Sequence, residues 1–236
     1  MPTSLNHNRG ARDAVLARTR RALGATSDRA KARAEAESYI DAHRQGPRPA
    51  MPVDLLTRFM QRASDMQSTV ERLSDRTHLP AAVARHLAAL AARADADIPI
   101  GRAGVCWPEF ADLDWPAAGL AIEARPTTGQ DRLGITGTFC AIAETGTLVV
   151  LTGPGAPTAT TLLPDTHVAV VHADRIVSGM EEAFALVRRE RGRLPRAVNL
   201  ISGPSRTGDI EQTIVLGAHG PFRMHVLLLP ARTAAS

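Results

Sequence analysis

From residue 119 to residue 229 the chain repeats one local pattern: a short apolar run, then a break rich in Gly, Pro, Thr or Ser. The runs are GLAIEA (119–124), FCAIA (139–143), TLVVL (147–151), VAVVH (168–172), AVNLI (197–201) and MHVLLL (224–229). Runs this short, apolar at successive positions and bounded by turns, read as strands buried on both faces. A helix, MEEAFALVRRERG (180–192), lies among them. Strands interleaved with helices predict an α/β layer fold, with a mixed, mostly parallel sheet flanked by helices. Aromatic residues make up only 3% of the chain, so this core has to be built from Ala, Val, Leu and Ile.

The first hundred residues have another texture. ARDAVLARTRRAL (11–23) and SDRAKARAEAESYIDAHRQ (27–45) are helix-prone, and GPRPAMP (46–52) then breaks the chain with one Gly and three Pro. The expected organisation is an appended N-terminal helical segment, 1–49, and an α/β domain, 50–236. VDLLTRFMQRASDM (53–66) reads as a helix, QSTVERL (67–73) as a short strand, and LPAAVARHLAALAARA (79–94) as a second helix opened by Pro80.

Charge and cysteine usage remove several function classes. The formal net charge of +4 is concentrated at the start, where the first fifty residues hold ten Lys/Arg against five Asp/Glu. That segment has one aromatic residue, Tyr39, whereas nucleic-acid binding asks for a basic face interleaved with aromatics. No nucleic-acid role is expected; a solvated helix face, or docking to an acidic partner, fits better. Cys106 and Cys140 stand far apart, with no CxxC spacing for an iron–sulfur cluster or structural zinc. A reducing, cytoplasmic setting is expected. No stretch approaches eighteen apolar residues, so no membrane span is expected. The eight histidines form no HxH or HExxH pattern, and no GxGxxG or haem motif is present, so neither a metal nor a cofactor is expected in this chain.

The remaining signal is a set of polar loops after apolar runs: GITGT (134–138), AETGT (143–147) and SGPSRTGDIE (202–211). In open α/β sheets ligands bind beyond the carboxyl ends of strands. Glycines let a backbone approach a ligand, and free N–H groups cradle anions. The expected cleft gathers Thr138, Thr145, Gly146, Ser202, Gly203, Ser205, Thr207 and Asp209 as ligand-binding residues around a carboxylate or phosphate. Glu144 is its candidate catalytic carboxylate, and His219, in GAHGP, its rim acid or base. Arg206 and Arg223 are candidate partners for the carboxylate. Plainer roles stay open: Asx and Ser/Thr turns for the hydroxyls, a turn-stabilising role for Glu144, and surface positions for His219 and the arginines.

AIAETGTLVV, LLPDTHVAVV, SGPSRTGDIE and GAHGPFRMHVLLL, in that order, resemble the LUD-domain family of the lactate utilization protein C type, and VLARTRRAL (15–23) is similar to its leading helix. The resemblance implies a fold related to the NagB/RpiA/CoA-transferase group. It also implies a part in oxidising L-lactate to pyruvate beside the iron–sulfur lactate-utilization proteins A and B. Two alternatives remain: an acyl- or CoA-transferase-like enzyme using Glu144 as nucleophile, and a non-catalytic assembly module for the iron–sulfur partners.

Overall fold

The computed structural model describes residues 5–23, 29–93, 100–210 and 213–232. The chain divides into two units, Met1–Pro49 and Ala50–Ser236. The first carries α1 (Leu5–Leu23) and α2 (Arg29–Asp41), with Val15, Tyr39 and Ile40 all exposed.

The second unit opens with α3 (Leu55–Asp65). Asp54 starts it by accepting the Thr57 N–H at 3.0 Å, a side-chain cap for an otherwise unpaired donor. Phe59 and Ala63, one helical turn apart, are fully buried on its inner face. After β1 (Thr69–Arg72), α4 (Leu79–Ala91) carries Pro80 in its first turn, where no hydrogen bond is lost, and buries Leu79, Ala82, Val83 and Leu87. Then follow β2 (Ala103–Cys106), β3 (Ala121–Glu123), β4 (Leu133–Thr136), β5 (Cys140–Ile142), β6 (Thr147–Leu151), β7 (Thr166–His172) and β8 (Ile176–Val177). The chain continues with α5 (Met180–Arg191), β9 (Val198–Ile201), β10 (Arg206–Ile210), β11 (Thr213–Leu216) and β12 (Arg223–Leu229).

Six strands form one sheet in the order β1-β12-β7-β4-β2-β3, and every pairing in it is parallel. A second sheet, β8-β5-β6-β9, is mixed, with β5–β6 and β6–β9 antiparallel and β5–β8 parallel. Alternation along the central strands sorts the core into layers. Leu133, Ile135, Val168, Val170 and Leu227 pack with α4 residues and with Trp107 and Trp115. Ala169, Val171, Met224, Val226 and Leu228 pack instead with Phe59 of α3 and with Ala141 and Leu148 of the small sheet. The far face of that sheet, Cys140, Ile142, Val149 and Leu151, packs on Ala183, Leu186 and Val187 of α5. Central strands covered on both sides have no polar face, hence the unbroken apolar runs. Each fully buried Leu among them contributes roughly 2 kcal/mol.

One sequence expectation is corrected, and one strand pairing is not the local one. GITGT is not wholly a loop, because Gly134–Thr136 belong to β4. Leu133 and Ile135 enter the core from one face, and the buried Thr136 hydroxyl is satisfied by His167 Nε2 at 2.8 Å. FRMHVLLL does not form a hairpin with the strand before it. That strand, β11, pairs with β10, while β12, apolar on both faces, lies between β1 and β7.

Candidate functional site

The strand order points to one crevice. β2 and β4 are neighbours whose onward connections part: β2 leads outward to β3, and β4 leads through the small sheet to β7 on its other side. Where connections diverge, the carboxyl ends leave a gap that helices and loops do not fill. Beyond these ends lies a cavity of about 400 Å³, walled by Trp107 and Glu109 after β2 and by Thr138 and Phe139 after β4. Arg175, Glu190, Arg191 and Arg232 complete its lining.

Most of its charge is already neutralised. Arg175 donates to both Glu190 oxygens, at 2.6 and 2.9 Å, and to the Phe139 carbonyl at 2.8 Å. The Glu190 carboxyl is held below its ordinary value by that pairing. Arg232 donates from Nε and Nη2 to Asp174, both at 3.0 Å. Arg191 has no ion pair among the described residues; its guanidinium lies 5.8 Å from the centre of the Phe139 ring. Thr138 donates its hydroxyl to the Val170 carbonyl at 2.9 Å, and Trp107 Nε1 to the Pro157 carbonyl at 3.3 Å, which fixes two walls.

Glu109 is the one titratable group here whose ionised form is disfavoured. The residue is exposed, and its carboxyl head lies against the chain at Gly137. A Cβ at Gly137 would stand only 2.1 Å from Glu109 Oε1, so only glycine leaves room for the head. Desolvation raises the carboxyl above its ordinary value, against the pull of Arg76 and the Gly137 N–H. Arg76 is itself held by both oxygens of Asp112 and donates to the Glu109 carbonyl.

The expected cleft separates into two places, because β5 and β6 form an antiparallel hairpin. Thr138 precedes that hairpin and belongs to the crevice, whereas Glu144, Thr145 and Gly146 form its tip, at the opposite end. At the tip the Glu144 N–H donates to Ser178 at 3.0 Å and the Gly146 N–H to Ile142 at 3.0 Å. The Glu144 side chain is half-buried and makes no hydrogen bond or ion pair among the described residues. Because β6 places Leu148 opposite Ile201 of β9, Thr147 meets Ser202, and a hydroxyl chain runs Thr145–Thr147–Ser202 at 2.6 Å per step. Gly146 and Gly203 both have positive φ, +70° and +81°, and press against the end of α3. Their Cβ positions would fall 2.4 Å from Ala63 N and 2.0 Å from the Met66 carbonyl oxygen. Arg206 donates to that same Met66 carbonyl at 3.3 Å.

The other expected residues lie further along the chain. Ser205 is held by backbone bonds to Pro221 and Gly217, both 2.9 Å, and its hydroxyl accepts the N–H of exposed His219 at 3.2 Å. Thr207 lies on β10 opposite Val215, the Asp209 side chain is outside the described residues, and the Arg223 guanidinium lies 5.2 Å from the centre of the Phe222 ring. The structure thus joins Thr145, Gly146, Ser202 and Gly203 at one end, and Ser205 with His219 nearby. Sequence reasoning missed Trp107, Glu109, Arg175, Arg191 and Arg232. Only Trp-Pro-Glu directly after the short run Val-Cys offered a local signal, a strand ended by Pro with an acid beside it.

Elsewhere, a depression of about 770 Å³ between α4 and the 112–118 segment is lined by five alanines together with polar residues, of which Arg76 and Arg85 are already paired with Asp112 and Glu71. His86 and His225 stack with ring centres 3.9 Å apart, and burial pushes them down to about 4 and about 3; His167 is likewise pushed to about 4. Among the described residues no cluster of three or more His, Cys, Asp or Glu is arranged to hold a metal ion, and no helix is long and apolar enough to cross a membrane.

Known proteins bear on this arrangement. The model of the LUD domain matches residues 108–229, a stretch that runs from the first residue after Trp107 to the last of β12. A lactate utilization protein C of Geobacillus sp. (strain WCH70) is 36% identical over 106 residues, 44% of each chain. The Bacillus subtilis (strain 168) protein of the same name is 31% identical over 131 residues, 50% of this chain and 55% of the relative. The matched part thus spans about half the length of these curated relatives. The crystal structure of a duf162 family protein from Deinococcus radiodurans superposes with a TM-score of 0.53 at 25% identity, covering 77% of this chain and 99% of the other. Matched by the family's model over more than half its length, this chain belongs to the LUD-domain family.

Proposed function

We propose that the chain serves lactate utilization as a cofactor-free subunit of an L-lactate-oxidising system and binds a small carboxylate in the β2–β4 crevice. The observation that carries the binding site is its charge pattern: Arg175 and Arg232 are each committed to a carboxylate, and Arg191, which lines the same cavity as Thr138, has no carboxylate partner among the described residues. A guanidinium without its own carboxylate, on a wall that also holds a hydroxyl, suits a small organic anion. The names of the curated relatives supply lactate utilization.

Taking two electrons from lactate requires a carrier. Burial pushes the Cys106 thiol up to about 11 and the Cys140 thiol to about 12, so neither offers a thiolate. In this reading the electrons pass to iron–sulfur partners of the lactate-utilization A and B type. The Arg-rich N-terminal helices dock to them, with an association that weakens as salt rises. The test is deletion of the gene, growth on L-lactate as sole carbon source, and affinity capture of partners with iron analysis. Unimpaired growth on lactate overturns the proposal.

A second reading, acyl transfer through Glu144, is favoured by that half-buried, uncommitted carboxylate. An acyl-CoA donor would leave a covalent adduct on Glu144, visible by intact mass, and no adduct with a panel of short acyl-CoAs removes it.

A further inference from the structure

We propose that the crevice takes up its anion together with one proton, carried by Glu109. The inference rests on the β2–β4 crevice being the carboxylate site.

The argument is electrostatic and geometric. Around the crevice, Arg175 is neutralised by Glu190 of α5, Arg232 by Asp174 after β7, and Arg76, behind Glu109, by Asp112. Among the described residues two charged groups of the lining have no ion-pair partner, the cation of Arg191 and the carboxyl of Glu109, and both face one small cavity. With Glu109 ionised the cavity is neutral overall and presents an acceptor-only carboxylate to the incoming anion. With Glu109 protonated the cavity carries one net positive charge, and the same head becomes a hydrogen-bond donor. On the Gly137 side the head already fills the space that a side chain there would occupy. Desolvation already favours the protonated form, and a bound anion adds to this by like-charge repulsion. A carboxylate ligand and Glu109 therefore share one proton, while Arg191 pairs with the ligand's charge.

Linkage fixes the sign. Binding raises the proton affinity of Glu109, so affinity for the anion falls as pH rises past the point where free Glu109 ionises, by up to tenfold per pH unit. Calorimetric titration of the whole protein with L-lactate and with pyruvate tests this, in two cationic buffers of different ionisation enthalpy, between pH 5 and pH 8. The expected result is net proton uptake on binding in the wild type. For Glu109→Gln the expectation is no uptake, an affinity flat with pH, and tighter binding than wild type at pH 8. Glu109→Ala gives the same loss of proton uptake, with circular dichroism confirming the fold. Binding without proton uptake, or uptake that survives in Glu109→Gln, overturns the role of Glu109 and leaves the crevice intact as a site. Binding of neither anion, or binding unchanged in Arg191→Ala, removes the crevice itself and the inference with it.

Discussion

The two ends of the β5–β6 hairpin are built from the same kinds of loop residue, glycine and threonine, yet they are finished in opposite ways. At the tip, Thr145, Thr147 and Ser202 bond to one another, and Gly146 and Gly203 lock against the last turn of α3. At the base, Gly137 makes room for a carboxylate, Thr138 sits on the wall of a cavity, and Arg191 keeps a cation with no carboxylate of its own among the described residues. The tip spends its hydroxyls on internal bonds and leaves one carboxylate, Glu144, without a partner among the described residues; the base bonds its Thr138 hydroxyl internally but keeps a cation in reserve. Polar loop residues alone do not distinguish a fastening from a site. What distinguishes them is whether their partners lie inside the protein.

Four substitutions probe that contrast, from the largest expected effect to the smallest. Gly203→Ala attacks the fastening. The new Cβ meets the Met66 carbonyl and the residue is forced to keep a positive φ, so urea unfolding is expected to show a loss of about 3 kcal/mol or more. A loss under about 1 kcal/mol means the tip is looser than described. Arg191→Ala attacks the reserve. Removing one charge-assisted partner, worth roughly 2 kcal/mol, weakens L-lactate or pyruvate binding by about tenfold or more and leaves the unfolding midpoint in place. Thr147→Val keeps the shape and breaks the hydroxyl chain in its middle. Thr145 and Ser202 are exposed and turn to water, so the cost is held to about 1 kcal/mol, with anion affinity unchanged. A shift in affinity there would couple the two ends. Glu144→Gln is expected to move stability by less than about 0.5 kcal/mol and to restore growth on lactate to a deletion strain. Loss of growth with a stable fold would make the tip, not the base, the chemical end.

Much of this architecture is legible in the sequence, since continuous apolar runs, proline breaks and helical spacing are local signals. The helices over 55–65, 79–91 and 180–191 follow from them, as does β1, and the family motifs fall in chain order on β5–β6, β7, β10 and β12. Thr147 of AETGT meets Ser202, the first residue of SGPSRTGDIE, while Thr138 of GITGT lies at the other end of the hairpin. The crevice was not legible for a physical reason. Glu109, Thr138, Arg175, Arg191 and Arg232 come from five separate segments, and only the divergence of β2 and β4 brings them together. β2 itself, Ala-Gly-Val-Cys, is too short and too mild to announce a strand. Thr136 gave a polar look to β4 because its partner, His167, is thirty-one positions away.

The pairing of β1 with β12 has a consequence for biosynthesis. Thr69 aligns with His225 and Arg72 with Leu228, so the opening strand of this unit has no neighbour until nearly the whole unit has been synthesised. On the ribosome, β1 waits as an unpaired edge while about 150 residues emerge, and the open side of β7 while about 50 do; the last strand then inserts between them. A nascent chain stalled before residue 223 holds the α/β layers without their closing strand, the form most exposed to chaperones and to mispairing with another copy.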